Sequence, residues 1–341
     1  MPKGTPRIAI VVNKNARSVT AGVIDDIRDT ITDEKLFVSH SSKSLRQAAQ
    51  SIVKDGFDVV VSAGGDGTFA QTVTAVMNAG CRTLPAFGVL RLGTGNGVAE
   101  ALRVAPFNRE TLLEELRQAK NPEARIGMSM LKINGYYAPF AGTGVDANIL
   151  RDYRLIRKIL ALVPFLPEKG RGLIDYALAI TTMSFWRYAF SKLPEVVIRN
   201  GGAKAHRIDY HGHRVGMAKD PGDVLYRGPV LFAGASTVRY YGFDIPIFPQ
   251  ASSLFGGYFQ LRVCAMEAPE ALTKLLDILA GKLADDKLWD FSCKDITIET
   301  PDGLPFQVGG DPAGKHKKMR IASVQIQAVQ GSAAAAPEPP K

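Results

Sequence analysis

The sequence lacks several features that would mark particular classes of protein. It has only three cysteines (Cys81, Cys264 and Cys293), an odd number without metal-ligand spacing, so neither a disulfide framework nor a zinc site is predicted. No apolar run approaches the roughly 18 residues that a membrane-spanning helix needs. The Gly-x-x-x-x-Gly-Lys-Ser/Thr motif is absent, and no Gly-x-Gly-x-x-Gly motif follows the first predicted strand, which excludes two common phosphate-binding fingerprints.

Motifs that read nucleic acid are also missing, although the chain is basic. Its 42 basic and 33 acidic residues give a formal charge of +9, which suits nucleic acid, an anionic membrane or a phosphorylated ligand. Without a recognisable RNA- or DNA-binding module, we predict no nucleic-acid partner. No signal-peptide pattern precedes the first apolar run. We therefore expect a cytoplasmic protein, for which membrane contact would have to be peripheral, at the inner face.

The pattern of apolar residues changes along the chain. Up to about residue 125, short apolar runs at 7–13, 36–38, 58–62 and 86–90 alternate with helical spacing, which predicts a parallel sheet covered by helices. Residues 126–328 contain short strand-like runs between Gly, Pro and Asp clusters, and one predicted helix at 269–283. The predicted fold class is α/β plus β: a doubly wound parallel-sheet domain (1–125), a β-rich domain (126–328) whose chain end could pack on the first, and a disordered tail (329–341).

A glycine-rich segment follows the third predicted strand. Residues 64–68 are Gly-Gly-Asp-Gly-Thr, and glycines let backbone amides approach a phosphate at the positive end of a helix. Thr68 and Gln71 have the spacing of a capping box, which predicts that the helix begins there. Asp66 is unfavourable beside an anion unless it serves a metal, a proton or a hydroxyl, so it is a candidate catalytic residue. A tight turn with an exposed Asp is the plainer interpretation.

A second glycine-rich segment, Leu-Gly-Thr-Gly-Asn-Gly at 92–97, follows the next strand. Ligands of open parallel sheets bind at the carboxyl ends of the strands, so both segments are expected to converge on one phosphate site. The predicted phosphate contacts are Gly64, Gly65, Gly67, Thr68, Gly93, Thr94, Gly95 and Asn96.

Together the two segments resemble the signature pair of the diacylglycerol kinase catalytic-domain family, which includes bacterial lipid kinases, sphingosine kinases and ceramide kinases. Asn13 stands where this family has Asn after its first strand, and residues 144–147, Gly-Val-Asp-Ala, resemble its Gly-Phe-Asp-Ala motif. Residues 249–251 and 309–312 match later landmarks, so the resemblance covers nearly the whole chain. It implies ATP and Mg²⁺, a lipid substrate near Asp146, and an active site between an α/β domain and a β-sandwich.

The chain departs from the family at positions that are usually acidic. These positions are occupied by Gln71, Gly97, Gly256 and Gly309. Gly97 and Gly256 remove carboxylates that organise a structural magnesium in some bacterial members, so that auxiliary site is expected to be absent. Gly309 replaces the Asp assigned as general base in some relatives. Asp66 or Asp311 could take over that role, or the protein could bind its ligands without turnover.

Basic residues mark further candidate contacts. Arg91 and Lys14 flank the phosphate segments, and each could donate to ATP phosphates or be a surface cation. Residues 149–166 interleave apolar residues with Arg and Lys, which suits either a helix on an anionic membrane or one packed with a solvated basic face. His206, His211 and His213 could bind a metal but are more typical of an exposed hairpin.

The sequence thus predicts an ATP-dependent lipid kinase. The two glycine-rich segments hold MgATP, and Asp66 orients or deprotonates a lipid hydroxyl presented near Asp146. A catalytically silent lipid- or nucleotide-binding protein is one alternative. An NAD kinase is another, but NAD kinases carry an Asn-Glu pair that this chain lacks. The acceptor lipid and the oligomeric state stay open.

Overall fold

The computed structural model describes residues 5–93, 95–148, 191–241, 245–254 and 256–333. The chain divides into two compact units. Unit 1 comprises residues 1–130, 135–139 and 324–341, and unit 2 comprises residues 131–134 and 140–323. The segments at both ends of the chain therefore belong to the same unit.

The strands and helices are numbered in chain order. The strands are β1 (Ile8–Asn13), β2 (Lys35–Ser39), β3 (Val59–Gly64), β4 (Ala86–Arg91), β5 (Arg125–Ile133), β6 (Tyr136–Ala138), β7 (Phe140–Gly144), β8 (Glu195–Asn200), β9 (Ala205–Ile208), β10 (Arg214–Lys219), β11 (Val224–Pro229), β12 (Phe232–Ser236), β13 (Phe259–Cys264), β14 (Leu288–Cys293), β15 (Asp295–Val308) and β16 (Asp311–Val329). The α-helices are α1 (Ala21–Thr30), α2 (Ser42–Asp55), α3 (Asp66–Asn78), α4 (Gly97–Ala101), α5 (Arg109–Lys120), α6 (Ala268–Thr273) and α7 (Leu275–Ala280).

Unit 1 is built on a parallel sheet. Its strand order is β16-β4-β3-β1-β2, and each of these neighbouring pairs is parallel. The C-terminal end of β16 joins this sheet through the pairing of Ala328 with Phe87 of β4. β1 and β3 are almost entirely buried, as their continuous Ile, Val and Ala runs predict for strands covered on both faces. Polar caps mark helix starts in this unit: Ser41 and Asn108 each form a capping box with the residue three positions later.

Unit 2 is mainly antiparallel. Its strands follow the order β10-β9-β14-β13-β12-β7-β15-β16, and β8 pairs with both β15 and β11. A buried ion pair lies within it, where Arg262 contacts both carboxylate oxygens of Asp290 at 2.9 and 2.8 Å. The predicted fold class, α/β followed by β, is confirmed.

One local prediction needs correction. The single helix predicted at 269–283 is two short helices, because Lys274 leaves helical geometry (φ −100°, ψ 10°) and bonds Glu270 and Asp285. The second helix ends at Gly281, whose φ of 67° is the left-handed conformation that glycine adopts readily.

Residues just beyond 328 form backbone hydrogen bonds with unit 1. Gln330, Gly331 and Ala333 donate backbone hydrogen bonds to Ala124, Leu102 and Arg103. The segment predicted as a tail thus begins with residues that are part of unit 1. Within the described part of the chain, no helix combines the length and apolarity needed to cross a membrane.

Candidate active site

The first glycine-rich segment joins β3 directly to α3. The helix begins at Asp66, with Gly65 as its N-cap and no side-chain cap. Thr68 therefore lies inside the first turn, and the predicted capping box with Gln71 is wrong. The Thr68 hydroxyl instead accepts a hydrogen bond from the amide of Asn13 (3.1 Å), which lies at the end of β1. No side chain of the N-cap residue therefore covers the backbone amides at the start of α3.

The second glycine-rich segment packs backbone against backbone on the first. The amide of Asp66 donates to the carbonyl of Gly95 at 3.1 Å, and that of Leu92 donates to Gly64 at 3.1 Å. A Cβ built on Gly65 would lie 2.7 Å from the Gly95 oxygen, closer than real Cβ atoms approach. The two segments therefore converge at one place, and side chains larger than hydrogen are excluded where they meet.

Asp66 links the two segments through its side chain. Its Oδ2 accepts from the amide of Gly97 (3.0 Å) and its Oδ1 from that of Val98 (2.9 Å). Only 5% of Asp66 is exposed. The carboxylate thus caps α4, where the positive end of the helix favours a negative charge. This contact was not predicted, and it gives Asp66 a structural role in the site.

Other predicted residues shape or border the second segment. The Asn96 side chain closes a small loop, accepting from the Gly93 amide (3.1 Å) and donating to the Gly93 carbonyl (2.9 Å). Gly67 lies in the first turn of α3. Arg91 is half-buried at the end of β4, beside Gly64 of β3, and Lys14 is exposed after β1. Thr94 lies outside the described residues.

A second set of candidate residues lies in unit 2, around Asp146. Its Oδ2 accepts hydrogen bonds from the hydroxyl of Tyr241 and from the amide of Gln307 (3.3 Å). Burial raises the pKa of Asp146 to about 6, while the bonds from Tyr241, the Ala147 backbone and Gln307 act in the opposite direction. Sequence reasoning singled out Asp146 but missed Tyr241 and Gln307, since neither belongs to a local motif.

Asp311, the other candidate base, begins β16. Gly309 and Gly310 form a two-residue turn between β15 and β16, with φ of 58° and 84°, and Val308 pairs with Asp311 across it. Two successive positive φ angles are what a tight hairpin turn requires, which accounts for the Gly-Gly sequence. Asp311 is thus placed as a strand residue that follows the turn.

Two further predictions concerned a histidine cluster and a membrane-contacting segment. His211 and His213 are exposed in the β9–β10 turn, where Asp209 accepts from both of their backbone amides. Among the residues that the structure describes, no group of three His, Cys, Asp or Glu side chains could hold a metal ion. The predicted membrane-contacting segment, 149–166, lies outside the described residues.

Known proteins resemble this chain in the region of the two glycine-rich segments and in the overall fold. Residues 7–129 match the diacylglycerol kinase catalytic domain. A Yersinia pestis (strain Pestoides F) protein called "Probable lipid kinase YegS-like" is 22% identical over 271 residues, covering 79% of this chain and 77% of that protein. The protein of the same name from Yersinia pseudotuberculosis serotype O:3 (strain YPIII) matches equally.

Solved structures show the same fold over almost the whole chain. A crystal structure of a diacylglycerol kinase from Bacillus anthracis strain Sterne is similar with a TM-score of 0.62, at 14% identity, over 96% of this chain and 98% of that one. The matched residues 7–129 contain both glycine-rich segments and the Asp66 contact that joins them. Residues 7–129 therefore match the diacylglycerol kinase catalytic domain, in agreement with the resemblance found in the sequence.

Proposed function

We propose that this protein is an ATP-dependent lipid kinase that transfers the γ-phosphate of ATP to a lipid hydroxyl. The observation that carries this proposal is the convergence of the two glycine-rich segments at the start of α3. Backbone amides at a helix N-terminus, approached without side chains, suit the phosphates of a nucleotide. The lipid kinases among the relatives support a lipid acceptor.

In this proposal, each candidate residue of unit 1 has a part in holding the nucleotide. Asp66 keeps the second segment against the first through the amides of Gly97 and Val98. Thr68 and Asn13 tie the start of α3 to the end of β1. Arg91, beside Gly64, supplies a cation at the border of the phosphate site. Phosphoryl transfer depends mainly on such positioning and charge stabilisation.

Magnesium enters with ATP in this scheme. Among the described residues, no group of three His, Cys, Asp or Glu side chains could hold an ion. Magnesium is commonly bound through one or two carboxylates and the phosphates of the substrate itself. The lipid hydroxyl is presented in unit 2 near Asp146, and the protein meets its substrate at an anionic membrane surface.

The proposal is tested by offering labelled ATP with a panel of acceptors. Diacylglycerol, ceramide and a sphingoid base are presented in mixed micelles, and NAD in solution. Gly93→Ala is the disabled variant, because its Cβ would lie 2.1 Å from the Cα of Gly65. Gly22→Ala is the matched control, because its Cβ would meet only Thr20 Oγ1, at 3.8 Å.

We expect label in one lipid with the wild type and Gly22→Ala, and little with Gly93→Ala. Transfer of the label to NAD would show that the acceptor is NAD and not a lipid, which would contradict the proposal. Nucleotide binding without label in any product would instead support a silent binder. That alternative has a specific basis, since position 309 carries no carboxylate and both Asp66 oxygens already accept amide hydrogen bonds.

A further inference from the structure

Both side-chain hydrogen bonds to the Asp146 carboxylate fall on one of its two oxygens. Its Oδ2 accepts from Tyr241 and Gln307, whereas Oδ1 is buried and has no hydrogen-bond partner among the described residues. Asp146 as a whole is 6% exposed. A buried polar atom without a hydrogen-bond partner is unfavourable. A ligand that brought a hydroxyl donor to Oδ1 would supply that partner.

The space for this carboxylate exists because β7 has a glycine at the right place. Gly142 pairs with Gly234 of β12 on one side and with Gln307 of β15 on the other. A Cβ on Gly142 would lie 2.4 Å from Oδ2 of Asp146 and 3.0 Å from the Tyr241 hydroxyl. The glycine therefore leaves room for the Asp146 carboxylate, and the strand pairing places Gln307 beside it.

Tyr241 is held in place by other aromatic rings. Its ring centroid lies 4.6 Å from that of Phe140, 6.1 Å from that of Phe232 and 5.6 Å from that of Phe248. Such tilted and edge-on contacts fix the orientation of a ring. The Tyr241 hydroxyl in turn accepts a hydrogen bond from Gln307 and donates one to Asp146. The three side chains form one directed chain from Gln307 to Asp146.

The same glutamine connects this chain to the turn that replaces the family's acidic residue. Oε1 of Gln307 accepts from the amide of Gly310 at 2.8 Å, and the amide of Gly309 donates to Phe140 at 2.9 Å. The turn that lacks a carboxylate at position 309 is thus joined, through Gln307, to the buried carboxylate of Asp146. Asp66, by contrast, uses both oxygens to cap α4.

We propose that Asp146 is the proton acceptor for the lipid hydroxyl, and that Tyr241 and Gln307 position it. This inference rests on the proposed kinase function. The acceptor O–H donates to Oδ1 of Asp146 and gives up its proton there. The acceptor oxygen forms a bond to the γ-phosphorus of ATP, and the bond from that phosphorus to the bridging oxygen breaks, so that its electron pair leaves with ADP.

The protonation state of Asp146 is consistent with this role. Burial favours the neutral form, and the Tyr241 hydroxyl, the backbone amides of Ala147 and Asp146, and the Gln307 amide favour the ionised form. With the pKa at about 6, the group is mostly ionised at neutral pH and takes up a proton readily. Removing the Tyr241 donor should raise this pKa further, which shifts the requirement for ionisation to higher pH.

The test compares three single variants with the wild type. Asp146→Asn removes the base, Tyr241→Phe removes only the donor hydroxyl, and Tyr210→Phe is the control, since its hydroxyl bonds the Gly281 carbonyl elsewhere in unit 2 (3.0 Å). Lipid phosphorylation is measured from pH 5 to 9, nucleotide affinity is measured by titration, and the carboxyl group of Asp146 is titrated by ¹³C NMR. We expect Asp146→Asn to lose about 100-fold or more in kcat with unchanged nucleotide affinity.

Tyr241→Phe should move both the acid limb of kcat/KM and the NMR titration of Asp146 to higher pH, by about one pH unit. Tyr210→Phe should move neither. The inference is overturned if wild-type transfer occurs and Asp146→Asn retains it, or if Tyr241→Phe shifts the two titrations no more than Tyr210→Phe does. Absence of transfer to every lipid in the wild type would instead end the proposed function, and this inference with it.

Discussion

Gly65 and Gly93 lie so close together that a Cβ on Gly93 would lie 2.1 Å from the Cα of Gly65. The two glycine-rich segments are therefore one structure, in which each backbone shapes the other. Such an approach is possible only between glycines, and it brings the amides of both segments to one place.

Gly93→Ala should consequently separate the two segments. We expect the affinity for an adenine nucleotide to fall at least about tenfold, and the free energy of unfolding to fall by about 1–3 kcal/mol, because backbone cannot yield as a flexible side chain can. Nucleotide titration and urea unfolding measure the two effects. Gly22→Ala, in α1, should leave both quantities nearly unchanged. Equal nucleotide affinity in the two variants would contradict this account of the site.

Asp66→Asn should affect stability as well as transfer. An Asn side chain can accept from only one of the two amides, and its NH₂ group would face the other. We expect unfolding to become easier by about 1–3 kcal/mol, together with weaker nucleotide binding and loss of transfer. Asp26→Asn, on the exposed surface of α1, is the matched control. A variant with wild-type stability but no transfer would support the direct catalytic role that the sequence predicts for Asp66.

The hydroxyl of Thr68 should matter more than its methyl group. Thr68→Val removes the acceptor for the Asn13 amide, whereas Thr68→Ser keeps it. We expect Thr68→Val to lose about 1 kcal/mol of stability and several-fold in nucleotide affinity, with Thr68→Ser close to wild type. Thermal unfolding and nucleotide titration of the two variants provide the measurement, and the reverse order of the variants would show that packing dominates.

The N-terminal fold was predictable because its signals are local. Buried strands such as β1 and β3 are continuous apolar runs, and the glycine-rich segments follow directly after strands. The capping box at Thr68 was wrong because the same spacing also occurs inside a first turn, and the helix starts at Asp66. At the break, Lys274 bonds Asp285, a residue beyond the second helix, and helical periodicity does not encode such a contact.

The surroundings of Asp146 could not be predicted in the same way. Gln307 reaches Asp146 only because β15 pairs with β7 at Gly142, a contact between residues far apart in the sequence. Tyr241 arrives from a third segment and is oriented by Phe140, Phe232 and Phe248. The Gly-Gly sequence at 309–310 is, by contrast, a local signal for the hairpin turn between β15 and β16.

The raised pKa of Asp146 has a consequence for stability that is independent of activity. In the unfolded chain the carboxyl titrates at its ordinary value near 3.8, and in the folded protein it titrates at about 6. Below about pH 3 both states are mostly protonated, and above about pH 7 both are mostly ionised. Between these limits the folded state binds the proton more tightly, so this group's contribution to stability falls as the pH rises through the interval.

Asp146→Asn should remove this dependence, since an amide does not titrate. The free energy of unfolding of the wild type minus that of the variant should decrease by about 3 kcal/mol between about pH 3 and pH 7, and stay level above that. Urea unfolding of both proteins across this range gives the difference, in which the titration of all other groups largely cancels. A difference that is constant with pH would mean that Asp146 titrates alike in the folded and unfolded chains. Its buried position would then impose no penalty on the charge, and the reason for assigning it a readily transferred proton would be lost.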